Sequence, residues 1–196
     1  MSTVSSIVGE HHIPEGVRSL ITLADADYID LFTVTTPMAT DRSAEEWARA
    51  ILEQAPLSRQ NARAFYQLMG LRLGPEHSPD HVQGWKIAAR GANWIRVETA
   101  SWYMTAQAVC LVEEDRVSIS LSVRYDQPVA ALVWRRVSGR HQRAVPVMLR
   151  QAVRLMTTAE VPSPTHDAHA SGNTPIGPNQ TTGRVDSAGG WWRPRV

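Results

Sequence analysis

A single cysteine, Cys110, in a chain of 196 residues excludes an intrachain disulfide and suits a reducing compartment, so a cytoplasmic location is expected. Lysine is nearly missing. Of the 20 Lys and Arg residues only Lys86 is a lysine, and the arginines are scattered rather than clustered into a phosphate-binding patch. With a net charge of +1 nothing calls for a polyanionic partner, and no nucleic acid is expected. No apolar run approaches the ~18 residues that a membrane span needs, and no basic-then-apolar leader opens the chain. Internal repeats are missing, which disfavours a solenoid or propeller.

The common catalytic signatures are missing too. There is no G-x-S-x-G, P-loop, dinucleotide-binding glycine pattern, H-E-x-x-H or C-x-x-C. His166 and His169 have loose metal-like spacing but no companion ligands, and a structural metal site needs about four. His77 and His81 flank "SPD" with Asp80, which reads as solvated loop polarity. Serines are plentiful, yet no inward-facing histidine accompanies them. No catalytic residue, cofactor or metal is therefore assigned from the sequence.

What is present describes a globular domain. The 43% hydrophobic and 20% charged content supports a sizeable core. Residues 1–24 read as a partly disordered extension and 25–157 as the folded domain. From 158 to 196 the chain is rich in Pro, Gly, Ser and Thr and too poor in large apolar residues to offset chain entropy, so disorder is expected there. The tail ends with Trp191 and Trp192, whose role the pattern leaves open.

Within the domain "YIDLFTVT" (28–35) is a β-rich run. Ser43 and Glu46 form a capping box ahead of a helix carrying Ala44, Trp47, Ala48, Ile51 and Leu52. Pro56 stops that helix. Ser58 can cap a second one, closed by Gly70. From 83 to about 135 the chain alternates with period two, and a last helix carries Val145, Leu149, Ala152 and Met156. A three-residue loop, Gly91-Ala92-Asn93, pairs Arg90 with Trp94, Ile87 with Val97, and Lys86 with Glu98, setting apolar on apolar and opposing unlike charges. Trp94 then lies on the polar face over an arginine.

A turn at Ala100-Ser101 sets Trp102, Met104, Ala106, Ala108 and Cys110 on the face of Thr99, Val97 and Ile95. After a turn at 113–116, Val117, Ile119, Leu121, Val123 and Tyr125 face inward, while Ser118, Ser120, Ser122 and Arg124 face water. A further turn at Asp126-Gln127 leaves Ala130, Leu132 and Trp134 inside. One sheet face is thus apolar from Trp85 to Trp134 and must be covered, chiefly by the terminal helix. Small residues at 106, 108 and 110 leave either room for close helix approach or a void able to hold a ligand.

The element order resembles the START-like (SRPBCC, Bet v 1-type helix-grip) superfamily over about residues 25–157. More narrowly, "ADYIDLFTV", "HVQGWKIA", "VRYDQPVAALVW" and "HQRAVPVMLRQAV" resemble an uncharacterised branch of it, a domain of unknown function. The resemblance implies an α+β helix-grip fold. A curved antiparallel sheet of about six or seven strands wraps a long C-terminal helix, with two short helices between the first two strands. A missed strand near 71–77 would complete the larger count.

It also implies a cavity for a hydrophobic or amphipathic small molecule, with Trp85, Trp102, Met104, Tyr125 and Trp134 as anchors. Arg140, His141 and Arg143 fall where the last helix is expected to begin, with Pro146 close by. Cations there oppose the helix dipole, so either an acidic residue compensates them or a ligand carboxylate or phosphate binds at the cavity mouth. Two other readings remain. One is an enzyme of polyketide cyclase or dehydratase kind with Tyr125 or His141 as proton donor, and the other an interaction module with a filled core.

Overall fold

The computed structural model describes residues 3–9, 12–76 and 78–158, without the side chains of 59–61. The expectations for the tail, including Trp191, Trp192, His166 and His169, and that for His77, lie outside the described residues.

The architecture is α+β. Seven antiparallel strands form one curved sheet in the order β1-β2-β7-β6-β5-β4-β3, and a long helix closes one face of it. The strands are β1 (Val4–Val8), β2 (Tyr28–Thr35), β3 (His81–Val82), β4 (Trp85–Arg90), β5 (Trp94–Ala100), β6 (Met104–Glu113) and β7 (Arg116–Tyr125). The helices are α1 (Glu15–Arg18), α2 (Ala44–Arg49), α3 (Pro56–Leu68) and α4 (Pro128–Thr158).

Alternation sets the faces of the sheet. Thr99 pairs with Ala106, Val97 with Ala108 and Ile95 with Cys110. On the next strand Ala106 meets Val123, Ala108 meets Leu121 and Cys110 meets Ile119. The inner face therefore runs unbroken as the sequence pattern requires. Glu114 and Asp115 make the tight turn between β6 and β7.

The β4–β5 connection keeps the same faces by another route. Lys86 opposes Glu98 and Ile87 opposes Val97, but the register then shifts, so that Arg90 meets Ile95 rather than Trp94. Gly91 donates its N–H to the Trp94 carbonyl at 2.9 Å. A two-residue turn, Ala92-Asn93, thus replaces the expected three-residue loop, and a bulge at Ala88 takes up the extra residue. Trp94 does lie under an arginine, with the Arg96 guanidinium carbon 5.7 Å from its ring centre.

The capping box forms as expected, with Ser43 Oγ accepting from the Glu46 N–H and Glu46 Oε2 from the Ser43 N–H. The chain continues from α2 through a π-helical segment, Ala50–Gln54, and Pro56 opens α3. Ser58 is not its cap. The hydroxyl donates to the Ile51 carbonyl at 2.7 Å and ties the two helices at their junction. Gly70, at φ +66°, closes α3 with the Leu71 N–H on the Tyr66 carbonyl and its own on Gln67, a Schellman end that favours glycine.

Three expectations are corrected. First, residues 128–135 are helical. Ala130 and Trp134 are buried while Leu132 is 42% exposed, the i, i+4 pattern of a helix face. Pro128 suits a helix start because that N–H has no intrahelical partner, whereas a central strand would need it. Arg140, His141 and Arg143 therefore sit inside α4, away from its N-terminus, and Pro146 lies in its interior. Second, the strands not foreseen are β1, paired with β2 from Val4↔Val34 to Val8↔Asp30, and the two-residue β3 beside β4, and no strand forms over the described residues of 71–77. Third, the outer face is covered. Ser118, Ser120 and Ser122 are buried, and Ile13 and Val17 pack on Ile29, Leu31 and Leu111.

The N-terminal segment is thus a strap across the back of the sheet. Gln107 anchors it, its Oε1 accepting from the Thr22 N–H at 2.9 Å and its Nε2 donating to Thr22 Oγ1 at 3.0 Å. Arg96 Nη1 adds a bond to the Leu20 carbonyl. Gln107→Leu removes both bonds to Thr22, which is itself exposed to water, and should lower the unfolding free energy by about 0.5–1.5 kcal/mol in urea titrations. An unchanged midpoint would mean that Ile13 and Val17 hold the strap alone.

Candidate functional site

Alternation in β2 turns Tyr28, Asp30, Phe32 and Val34 toward α4, and Ile29, Leu31 and Thr33 toward the strap. Between this inner face, α3 and α4 lies a cavity of about 410 Å³. Ala106 and Ala108 line its floor, where larger side chains would reduce its volume. Of the two outcomes that small residues allow, a void is the one formed. Leu68, 88% exposed, and the exposed Arg140 also lie on its lining and place an opening at that side.

Most of the lining is apolar, and its polar members include Asp30, Ser58, Gln83, Arg140 and His141. Asp30 is 1% exposed and sits on the cavity wall. Its Oδ2 accepts from the Tyr28 hydroxyl at 2.6 Å and lies 2.9 Å from His141 Nε2. Gln142 Nε2 in turn donates to the Tyr28 oxygen at 3.1 Å. Burial, then the hydrogen bond and charge of Asp30, hold the Tyr28 hydroxyl well above its ordinary pKa, with Gln142 opposing. Tyr28 is therefore a donor to the carboxylate.

Aromatic rings surround this group. Trp134 is 4.9 Å from Tyr28 and 5.7 Å from His141 between ring centres, and Phe32 is 6.0 Å from His141. Two buried polar atoms have no protein partner here, the Asp30 Oδ1 acceptor and the Trp134 indole N–H donor, and a third, the Trp85 indole N–H, belongs to a lining residue of β4. An unmet buried group costs about 1–3 kcal/mol, so three among the residues lining one cavity are unusual for a structural core.

The anchors expected from sequence divide. Trp85, Met104 and Trp134 line the cavity, Trp134 from α4 rather than from a strand. Trp102 does not, being 70% exposed. Ser101 N–H bonds to the Met104 carbonyl at 2.8 Å, so the tight turn is Trp102-Tyr103, two residues beyond the expected place. Parity is kept but Trp102 becomes the tip. Tyr103 is buried instead and donates its hydroxyl to the Met69 carbonyl at 2.7 Å. Tyr125 opposes Met104 on the inner face but is not part of the lining.

Arg140 and His141 are on the lining, and Arg143 is exposed elsewhere on α4. The helix-dipole argument for an anion there falls away. Asp30 is the acidic residue that meets His141.

Sequence reading missed Asp30. Its signal was an acid at every-second spacing with Tyr28, Phe32 and Val34, on a face that has to be covered. Phe65 and Tyr66 of α3 are also on the lining. Burial pushes the Cys110 thiol up to about 12, which removes it as a nucleophile. Among the described residues no group of three or more His, Cys, Asp or Glu could hold a metal, and no helix is long and apolar enough to cross a membrane. Comparison of the chain with protein-family models, with curated proteins and with solved structures gave no match.

Proposed function

We propose that this domain binds a small hydrophobic or amphipathic molecule between the sheet and α4, as the resemblance to START-like proteins implies. The observation that carries the reading is the 410 Å³ cavity with an apolar lining and one buried polar cluster, the common makeup of small-molecule sites. An interaction module with a filled core would have no such space.

The test is uptake of the neutral fluorophore N-phenyl-1-naphthylamine. Saturable binding of one molecule per chain is expected. Ala108→Phe, which puts a ring on the cavity floor, should weaken it at least about tenfold while circular dichroism reports an intact fold. A second, smaller blocking change, Ala106→Val, guards against misfolding by overpacking. Uptake that neither variant alters would place the dye elsewhere and remove the proposal.

One observation favours a second reading, acid–base catalysis of cyclase or dehydratase kind. Such chemistry needs at least two polar groups converging in a pocket, and Asp30 with His141 supplies them. Between the two proton donors considered from sequence, His141 has the position and Tyr125 lacks it.

A further inference from the structure

We infer that the molecule held in the cavity carries a hydroxyl group, placed against Asp30 and Trp134. This rests on the binding reading above and narrows it to one class, a neutral apolar body bearing an alcohol or phenol.

The inference comes from which hydrogen bonds the protein makes and which it leaves open. Asp30 Oδ2 is fully engaged by Tyr28 and His141. Asp30 is a lining residue, and Oδ1 of the same carboxylate is buried with no protein partner. A carboxylate oxygen accepts only, so its partner must donate. Trp134 is 6% exposed, lines the same cavity and packs on both Tyr28 and His141. Its indole Nε1 is likewise buried and unpartnered, and it can only donate. One end of the cavity thus holds an unmet acceptor and an unmet donor beside the same pair of rings.

A hydroxyl satisfies both, donating to Oδ1 and accepting from Nε1. Ethers, esters and ketones cannot donate to Asp30. Carboxylates and phosphates also lack the proton, and their charge is repelled by the carboxylate. An ammonium group donates but cannot accept from the indole. Arg140 on the lining is exposed and offers an anion a site nearer solvent. That alternative is an outcome of the test.

Calorimetry of the full chain with naphthalene, 2-naphthol, 2-methoxynaphthalene and 2-naphthoate separates these cases. A site with unmet polar groups rejects analogues that cannot pair with them. In the natural protein 2-naphthol should bind at least about tenfold tighter than the methyl ether and than naphthalene. Asp30→Asn keeps an acceptor for Tyr28 but turns the open position toward an amide. It should bring the naphthol and the ether within about threefold of each other, with naphthalene unaffected. Trp134→Phe, which removes the N–H together with part of the ring, should weaken 2-naphthol about three- to tenfold more than it weakens naphthalene. It provides a second arm if Asp30→Asn folds poorly.

Equal affinity for the naphthol and the ether in the natural protein overturns the hydroxyl inference and leaves the binding reading standing. Preference for 2-naphthoate overturns it in favour of an anion at Arg140. No binding of any of the four overturns the cavity reading and this inference together.

Discussion

A chain that starts at residue 25 is expected to lose cooperative folding. The first 24 residues carry β1, which covers the free edge of β2 over five residue pairs, and the strap that buries Ile13 and Val17 on Ile29, Leu31 and Leu111. Burying a side chain of this kind contributes about 1.5–3 kcal/mol, so the five together approach the ~5–15 kcal/mol by which a domain is stable at all. Truncation also leaves three buried serines of β7 and Gln107 without their cover. The measurement is a thermal melt followed by near-ultraviolet circular dichroism, with dye binding to report exposed apolar surface. A sharp transition close to that of the full chain would show the segment to be a dispensable extension.

Replacing His141 by leucine has the second large effect, and its reason is electrostatic. Asp30 is almost wholly buried, and His141, about a fifth exposed, is its partner across the space between β2 and α4. Removing His141 leaves the buried carboxylate with the Tyr28 hydroxyl as its remaining partner, with a cost of about 3 kcal/mol for a pair still partly wetted. The double variant Asp30→Leu/His141→Leu should recover at least about half of that loss, since replacing both members by apolar groups is often close to neutral. Urea titrations of both variants, with Asp30→Leu alone closing the cycle, measure this coupling. If the double variant is as unstable as the sum of the singles, the pair does not act as a unit.

The sheet was the most legible part of the molecule. From Ile95 to Val123 each strand alternates cleanly, and tight turns preserve parity, so the inner face could be read residue by residue. The Trp102 misplacement shows the limit of that method. A turn displaced by two residues leaves every other side chain on its proper face and sends only the tip residue into solvent.

The stretch 128–135 failed for a different reason. Ala130 and Trp134 are four apart and also an even number apart, so they satisfy both a helical and a pleated pattern; only the proline ahead of them decides. The outer face was misjudged because Ser118, Ser120 and Ser122 look like solvent residues, whereas Leu31, Ile29 and Leu111 on the same side already required a cover. His141 was noticed for its charge, but its partner, far away in the chain, is visible only in three dimensions.

Pro146 carries a consequence for the cover of the interior. Without an N–H at 146 the carbonyl of Gln142 loses its helical acceptor role, and the ring crowds that turn. The roof of the chamber therefore lacks one backbone tie about one turn beyond His141. The upstream part, with Trp134 and Arg140, is joined to the downstream part by one backbone bond fewer than an unbroken helix supplies.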